Sequence, residues 1–336
     1  MTAQDTSNTR TAVSTTREDV VTGLLAVVLV GGLYLDGWAD HSLSGSPRIG
    51  IVFYGGFIAM VVWMFVITYR KVSVARPVRR SVPRGYRAGV IGVVVFVAGG
   101  IIDAWWHGAY GVEQGLAVLL SPTHLLLFSG LGLMVTSPFR ASASRKEQAP
   151  EIFSEYLGAL LSMAAVTSLL AFVIAFGMGL VPWRLEALYS PLDGSNELIV
   201  AYQVLTMIMT TLVLVMPVVV FLRRWDPPPG AVTFVYAIYA VLSSALTGFD
   251  QPWIMAAPIG AGLVADLIIR LTGAGPRDLE SVHMVAAAIP LVVWSLFVAL
   301  VARFASVGWD VGLWSGAILL MSAVGLTSSV VSTSRR

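Results

Sequence analysis

Polar residues along this chain fall in short clusters separated by long apolar runs. Ten such runs can be read, at about 19–37, 49–69, 88–107, 122–138, 156–180, 198–222, 230–249, 252–271, 283–304 and 311–331. Most approach the ~20 residues that carry a helix across a bilayer. None alternates apolar and polar positions as a lipid-embedded strand does. In hydrocarbon every backbone N–H and C=O needs a partner, which leaves helices as the spanning element. The pattern therefore predicts an all-α, polytopic transmembrane helix bundle of about ten spans. The first run lacks a small-residue cleavage site before Asp36 and is expected to stay as a helix.

The basic residues orient this bundle. With both termini cytoplasmic, the inside loops hold 18 of the 21 Lys and Arg, including the run from Arg70 to Arg87, and the outside holds only Arg48, Arg184 and Arg303. This is the positive-inside asymmetry. The Arg-rich loop is read first as a topology signal, with contact to anionic lipid as the alternative. Trp38, Trp105, Trp106, Trp183, Trp253, Trp309 and Trp314 fall at the outer ends and are expected to be interfacial anchors. The expected segments are a disordered cytoplasmic tail (1–18), four N-terminal helices as a repeat pair carrying the polar site (19–138), a cytoplasmic linker (139–155), six C-terminal helices (156–331) and a short tail (332–336). Arginines outnumber lysines 19 to 2, which points to a high-GC bacterial genome and so to a prokaryotic plasma membrane.

Composition narrows the chemistry. Charged residues are 12% of the 336, half the ~25% of a soluble domain, and hydrophobic residues are 57%, so neither a water-soluble globule nor a disordered chain fits. A net charge of +2 offers nothing to nucleic acid, and the absence of cysteine removes disulfides, thiolate metal sites and Cys nucleophiles. The remaining candidate chemistry lies in carboxylates and the four histidines.

These gather in the hairpin GGIIDAWWHGAYGVEQGLAVLLSPTHLLLFSG, residues 99–130. Asp103 and His107 are spaced i, i+4 and share one helix face. Ser121 and Pro122 form a helix start, Ser at the N-cap and Pro at the first position, which puts His124 in the first turn. A tight antiparallel hairpin brings that turn beside Asp103 and His107. Two imidazoles and one carboxylate form a ligand set for copper, iron or zinc. Glu113, between the arms, is a candidate fourth ligand or hydrogen-bond partner. The competing readings are a structural polar network and a proton or ion path.

An internal repeat surrounds this hairpin. GGLYLDGWAD (31–40) parallels GGIIDAWWH (99–107), and S-P-R-I (46–49) parallels S-P-T-H (121–124). Asp36 matches Asp103, Asp40 stands where His107 stands, Ile49 replaces His124, and His41 follows. This first copy is either a vestigial site or a source of carboxylates for the intact one. The second half is poorer. Asp266 and Arg270 read as an interfacial salt bridge, His283 as a solvated helix end, and Tyr202 and Gln203 as residues lining the bundle. Gly260, Ala261 and Gly262 suit close helix packing.

The D-x3-H helix end at Asp103 and His107, followed by S-P-T-H at His124, resembles the C subunit of particulate methane and ammonia monooxygenases. The likeness covers some 25–30 residues. It implies that Asp103, His107 and His124 hold a membrane copper site, and that an active oxygenase would need membrane and periplasmic partner subunits. The 16 residues between the two histidines exceed the family's interval. The chain also resembles polytopic ten-helix bacterial and archaeal membrane proteins with D-G-W-A-H and P-W-H motifs, a likeness that implies no activity. The first copy departs from it by the inserted Asp40 before His41.

The expectation is thus a membrane protein with an outward-facing metal site, most readily copper, with iron or zinc open. It would serve a membrane oxidation or metal-handling complex. If an enzyme, it would be a metal-dependent, monooxygenase-like subunit. Two other classes stay in view. A small-solute transporter would carry ionisable groups at midplane in several helices, and few are present. A non-catalytic scaffold would leave the histidines dispensable.

Overall fold

The computed structural model describes residues 12–42, 50–72, 78–111, 121–145, 152–177, 197–304 and 307–334. Among these there is no strand, and the long helices fall where the apolar runs predict. We label them α1 (Thr16–Ser42), α2 (Gly50–Tyr69), α3 (Arg87–Tyr110), α4 (Pro122–Val135), α5 (Phe153–Gly177), α6 (Glu197–Leu222), α7 (Ala231–Ala245), α8 (Ala256–Thr272), α9 (Leu279–Phe304) and α10 (Val311–Thr333). The helix Ser137–Ser144 prolongs α4 beyond Thr136. Among the described residues, nine helices are long and apolar enough to cross a bilayer. The other, α7, is apolar but only 15 residues long. At ~1.5 Å per residue it falls short of a ~30 Å hydrocarbon core. Gly230 (φ 84°) opens it, and the left-handed pair Gly248 and Phe249 (φ 64° and 61°) closes the turns after it.

The chain divides into two compact units, Met1–Leu169 and Leu170–Arg336. The division falls inside α5, which packs closely on α1. A Cβ on Gly158 would lie 2.8 Å from Asp19 Cβ, and one on Gly23 would lie 2.7 Å from Leu161 Cβ.

In the first unit, glycines bring helices into backbone contact. A Cβ on Gly32 of α1 would fall 2.7 Å from Phe53 Cα, and one on Gly56 of α2 would fall 3.2 Å from Leu29 Cα. In α3 and α4, a Cβ on Gly92 would meet the Gly130 carbonyl at 2.6 Å, and one on Gly130 would meet the Gly92 carbonyl and Phe96 N at 2.8 Å. Lipid offers no hydrophobic drive for helix association, so such close approach supplies the packing.

The end of this unit remote from the hairpin turn is held by polar contacts. Asp19 is 1% exposed. Tyr86 donates to its Oδ1 (2.7 Å), and Arg145 pairs with its Oδ2. Burial and the adjacent Asp19 carboxylate push the Tyr86 phenol well above its usual range, so it remains a donor. Lys71 pairs with Glu18 at 2.7 Å, and Arg140 donates to the carbonyls of Gly85 and Leu133. Lys71, Arg140 and Arg145 therefore hold structure together as well as contributing to the charge asymmetry.

In the second unit, Pro290 interrupts α9 and frees the Ala286 carbonyl, against which Gly325 of α10 packs with no room for a side chain. Trp294 donates to Thr211 (3.0 Å), and Trp309 donates to Gln203 Oε1 (3.0 Å). Trp309 is thus buried, unlike the half-exposed Trp253 and Trp314 and the exposed Trp105. It is a core residue, drawn inward because its indole N–H finds the Gln203 amide. Gln203 lines the packed interior as expected, while Tyr202 is exposed. His283 is likewise no solvated end: its Nδ1 bonds Ser329 Oγ at 2.8 Å and ties α9 to α10.

Asp266 also departs from expectation. Gly262 seats α8 on the backbone of α7, its Cβ position lying 2.7 Å from Thr233 Cα. One turn on, Asp266 accepts from Val232 N (3.1 Å), Thr233 N (2.9 Å) and Thr233 Oγ1 (2.6 Å). Gly230 precedes α7 without a side chain to cap it, and Asp266 supplies the missing acceptor from the neighbouring helix. Asp266→Ala should therefore destabilise the protein by about 1–3 kcal/mol, through buried donors left unmet. Arg270→Ala should leave the thermal transition in detergent unchanged. Equal losses in both variants would restore the salt-bridge reading.

Candidate metal centre

The hairpin forms because both arms carry their own start and stop signals. α3 ends at Gly111, whose φ of 83° suits glycine and whose N–H donates to the His107 carbonyl (3.0 Å). α4 starts with Ser121 at the N-cap and Pro122 at the first position, and Leu125 N donates to Ser121 O (3.0 Å). The Ser121 hydroxyl does not cap. It lies 2.9 Å from Thr123 Oγ1, and Thr123 donates to Asp103 Oδ1 at 2.6 Å. Gly99, one turn before Asp103, leaves space for the first turns of α4, a Cβ there meeting Leu126 Cβ at 3.2 Å.

This brings Asp103, His107 and His124 together. Among the described residues they form the one group of three potential ligands, with one donor atom from each within 4.8 Å of the others. His107 Nδ1 lies 3.7 Å from Asp103 Oδ2, and His124 Nδ1 lies 3.7 Å from Asp103 Oδ1. The imidazole centroids are 6.0 Å apart. A separation of 3.7 Å is too long for a hydrogen bond. Ligands held ~2.0–2.1 Å from one ion lie roughly 3–3.4 Å apart, so side-chain adjustments of ~1 Å would close the set. Among the described residues, His124 Nδ1 is one of seven buried side-chain polar atoms without a hydrogen-bond partner. Set beside Asp103 and His107, this nitrogen is one that a bound ion could engage. The side chains retain 29% (His107), 21% (His124) and 18% (Asp103) exposure, which leaves a route in for an ion.

The other expected site residues sit elsewhere. Asp36 is half-buried on α1 and lies outside the three-residue group. Asp40 and His41 belong to the last turn of α1, but their side chains, like Glu113, lie outside the described residues. The α1–α2 hairpin does share a feature with α3–α4: each second helix lays a glycine, Gly56 or Gly130, on the backbone of the first. Thr123 is the contact that residue patterns alone did not single out. Its signal was a buried hydroxyl between the Pro and the His of S-P-T-H.

No protein-family model, curated protein or solved structure matches the chain.

The geometry of the site hangs on the Gly92–Gly130 crossing. Gly130→Val should force α3 and α4 apart, lower the thermal transition by several degrees and abolish any metal binding. Gly100→Ala, with no atom within 4 Å of its Cβ position, should match or slightly exceed the parent in stability. If Gly130→Val kept parental stability, the close crossing would be refuted.

Proposed function

We propose that this is an integral membrane protein that holds one transition-metal ion, copper by preference, between α3 and α4, with Asp103, His107 and His124 as its ligands. The observation that carries the reading is the convergence of Asp103, His107 and His124, with His124 Nδ1 buried and, among the described residues, without a hydrogen-bond partner. Two imidazoles and one carboxylate suit copper, iron or zinc far better than the oxygen-loving calcium or magnesium. The resemblance of D-AWW-H and S-P-T-H to the monooxygenase C subunits favours copper and a role in a membrane oxidation or metal-handling complex. Bound copper would supply one-electron and oxygen chemistry. The chain's own part is to place three donors at a helix end, keep lipid off them and leave one side open. Electron delivery to such a site would fall to membrane or periplasmic partner subunits. The Lys and Arg asymmetry turns the site to the outside of a prokaryotic plasma membrane.

Metal analysis of the detergent-purified protein tests the site. A single ion per chain is expected, lost in both His107→Ala and His124→Ala. A metal-free parent, or undiminished metal in both variants, would refute the reading. Orientation has a clean test because the chain contains no cysteine. In whole cells, Tyr110→Cys should react with a membrane-impermeant maleimide, and Arg84→Cys should react only after permeabilisation. The opposite pattern would turn the site inward.

A further inference from the structure

Thr123 lies between the N-terminal turn of α4 and the carboxylate of the proposed metal centre, and it is 1% exposed. Its hydroxyl has two neighbours, Asp103 Oδ1 at 2.6 Å and Ser121 Oγ at 2.9 Å. A threonine hydroxyl has one proton. An ionised carboxylate can only accept, so Thr123 donates to Asp103 and must accept from Ser121. The result is a directed relay, Ser121 O–H to Thr123 Oγ1 and Thr123 O–H to Asp103 Oδ1. Both hydroxyl-bearing residues are buried, Ser121 at 4% exposed, where hydrogen bonds to a charged acceptor are strongest.

The local sequence makes this relay available. A threonine within a helix often bonds back to the carbonyl four residues earlier. Thr123 is the second residue of α4, with no helical turn behind it, so its hydroxyl is free to reach across to α3. Ser121 makes no side-chain cap, which frees its own hydroxyl for Thr123.

We propose that Thr123 is the positioning residue of the metal centre and sets its preference for nitrogen-loving transition ions. This rests on the metal-site reading above. The bond from Thr123 to Oδ1 restrains rotation of the carboxylate, holding Oδ1 3.7 Å from His124 Nδ1 and Oδ2 3.7 Å from His107 Nδ1. A carboxylate so tethered favours single-oxygen coordination beside two imidazoles. Calcium, which draws on several oxygens and often on both of one carboxylate, is disfavoured by the same tether.

The test uses the full-length protein in detergent, titrated with Cu(II) alone and with Ca(II) as competitor. Thr123→Val removes the hydroxyl at nearly constant shape, and Thr123→Ser keeps it. Thr123→Val should weaken Cu(II) binding by ~10–100-fold, the usual cost of losing a hydrogen bond to a ligand. It should also alter the Cu(II) electron paramagnetic resonance spectrum and narrow the preference for copper over calcium. Thr123→Ser should restore parental affinity and spectrum. Parental copper affinity and spectrum in Thr123→Val would overturn the role of Thr123 and leave the metal site standing. Equal losses in Val and Ser would also overturn it, since packing and not the hydroxyl would then be at work. Absence of copper from the parent would overturn the metal site itself. Should Thr123→Val not fold, Ser121→Ala removes only the upstream donor. It should lower copper affinity by a few-fold, and unchanged affinity would overturn the relay.

Discussion

The contact between Gly92 of α3 and Gly130 of α4 governs the end of the first unit that carries Asp103, His107 and His124. Each glycine faces the other helix's backbone at distances that admit no side chain. In a bilayer, surrounding lipid is as apolar as leucine, so helices associate through close packing and polar contacts. This crossing sets the register of α3 against α4. That register in turn puts the first turn of α4, with Thr123 and His124 about two turns before Gly130, opposite Asp103 and His107, about three to four turns beyond Gly92 on α3. Without it the three potential ligands would be separate residues on two lipid-facing helices.

Three carboxylates within or at the ends of the helices show how the chain manages charge where water is scarce. Asp19 is matched by a phenol and a guanidinium. Asp266 is matched by two backbone amides and a hydroxyl at the start of α7. Asp103 receives one hydrogen bond, from Thr123, and faces two imidazoles at 3.7 Å, beyond bonding distance. A charge buried in a membrane protein is costly unless paired. Among the described residues, Asp19 is paired with a cation and Asp266 with three donors, whereas Asp103 meets one hydroxyl. That contrast, together with the buried nitrogen of His124, supports the proposed ion site.

Much of the architecture was legible in residue order. Long apolar runs mark the helices because a bilayer demands contiguous apolar length, and the i, i+4 spacing with the Ser-Pro start put His124 beside Asp103 and His107. What stayed hidden depended on contacts between distant segments. Asp266 looked like a partner for Arg270, four residues away, yet it caps a helix that begins 35 residues earlier at Ala231. Trp309 read as an interfacial anchor because its partner, Gln203, lies 106 residues away. His283 read as solvated because its bond to Ser329 crosses between helices. The basic residues read as a topology signal, with lipid contact as the alternative, because charge counting carries no information about partners such as Asp19 or Glu18.

In the proposed centre two imidazoles and one carboxylate share an ion. Electron paramagnetic resonance of the Cu(II)-loaded protein, compared with His124→Ala, reads those ligands. Superhyperfine splitting from two nitrogens is expected in the parent and from one fewer in the variant, or loss of bound copper there. A parent spectrum without nitrogen coupling, or one unchanged by the substitution, would contradict it.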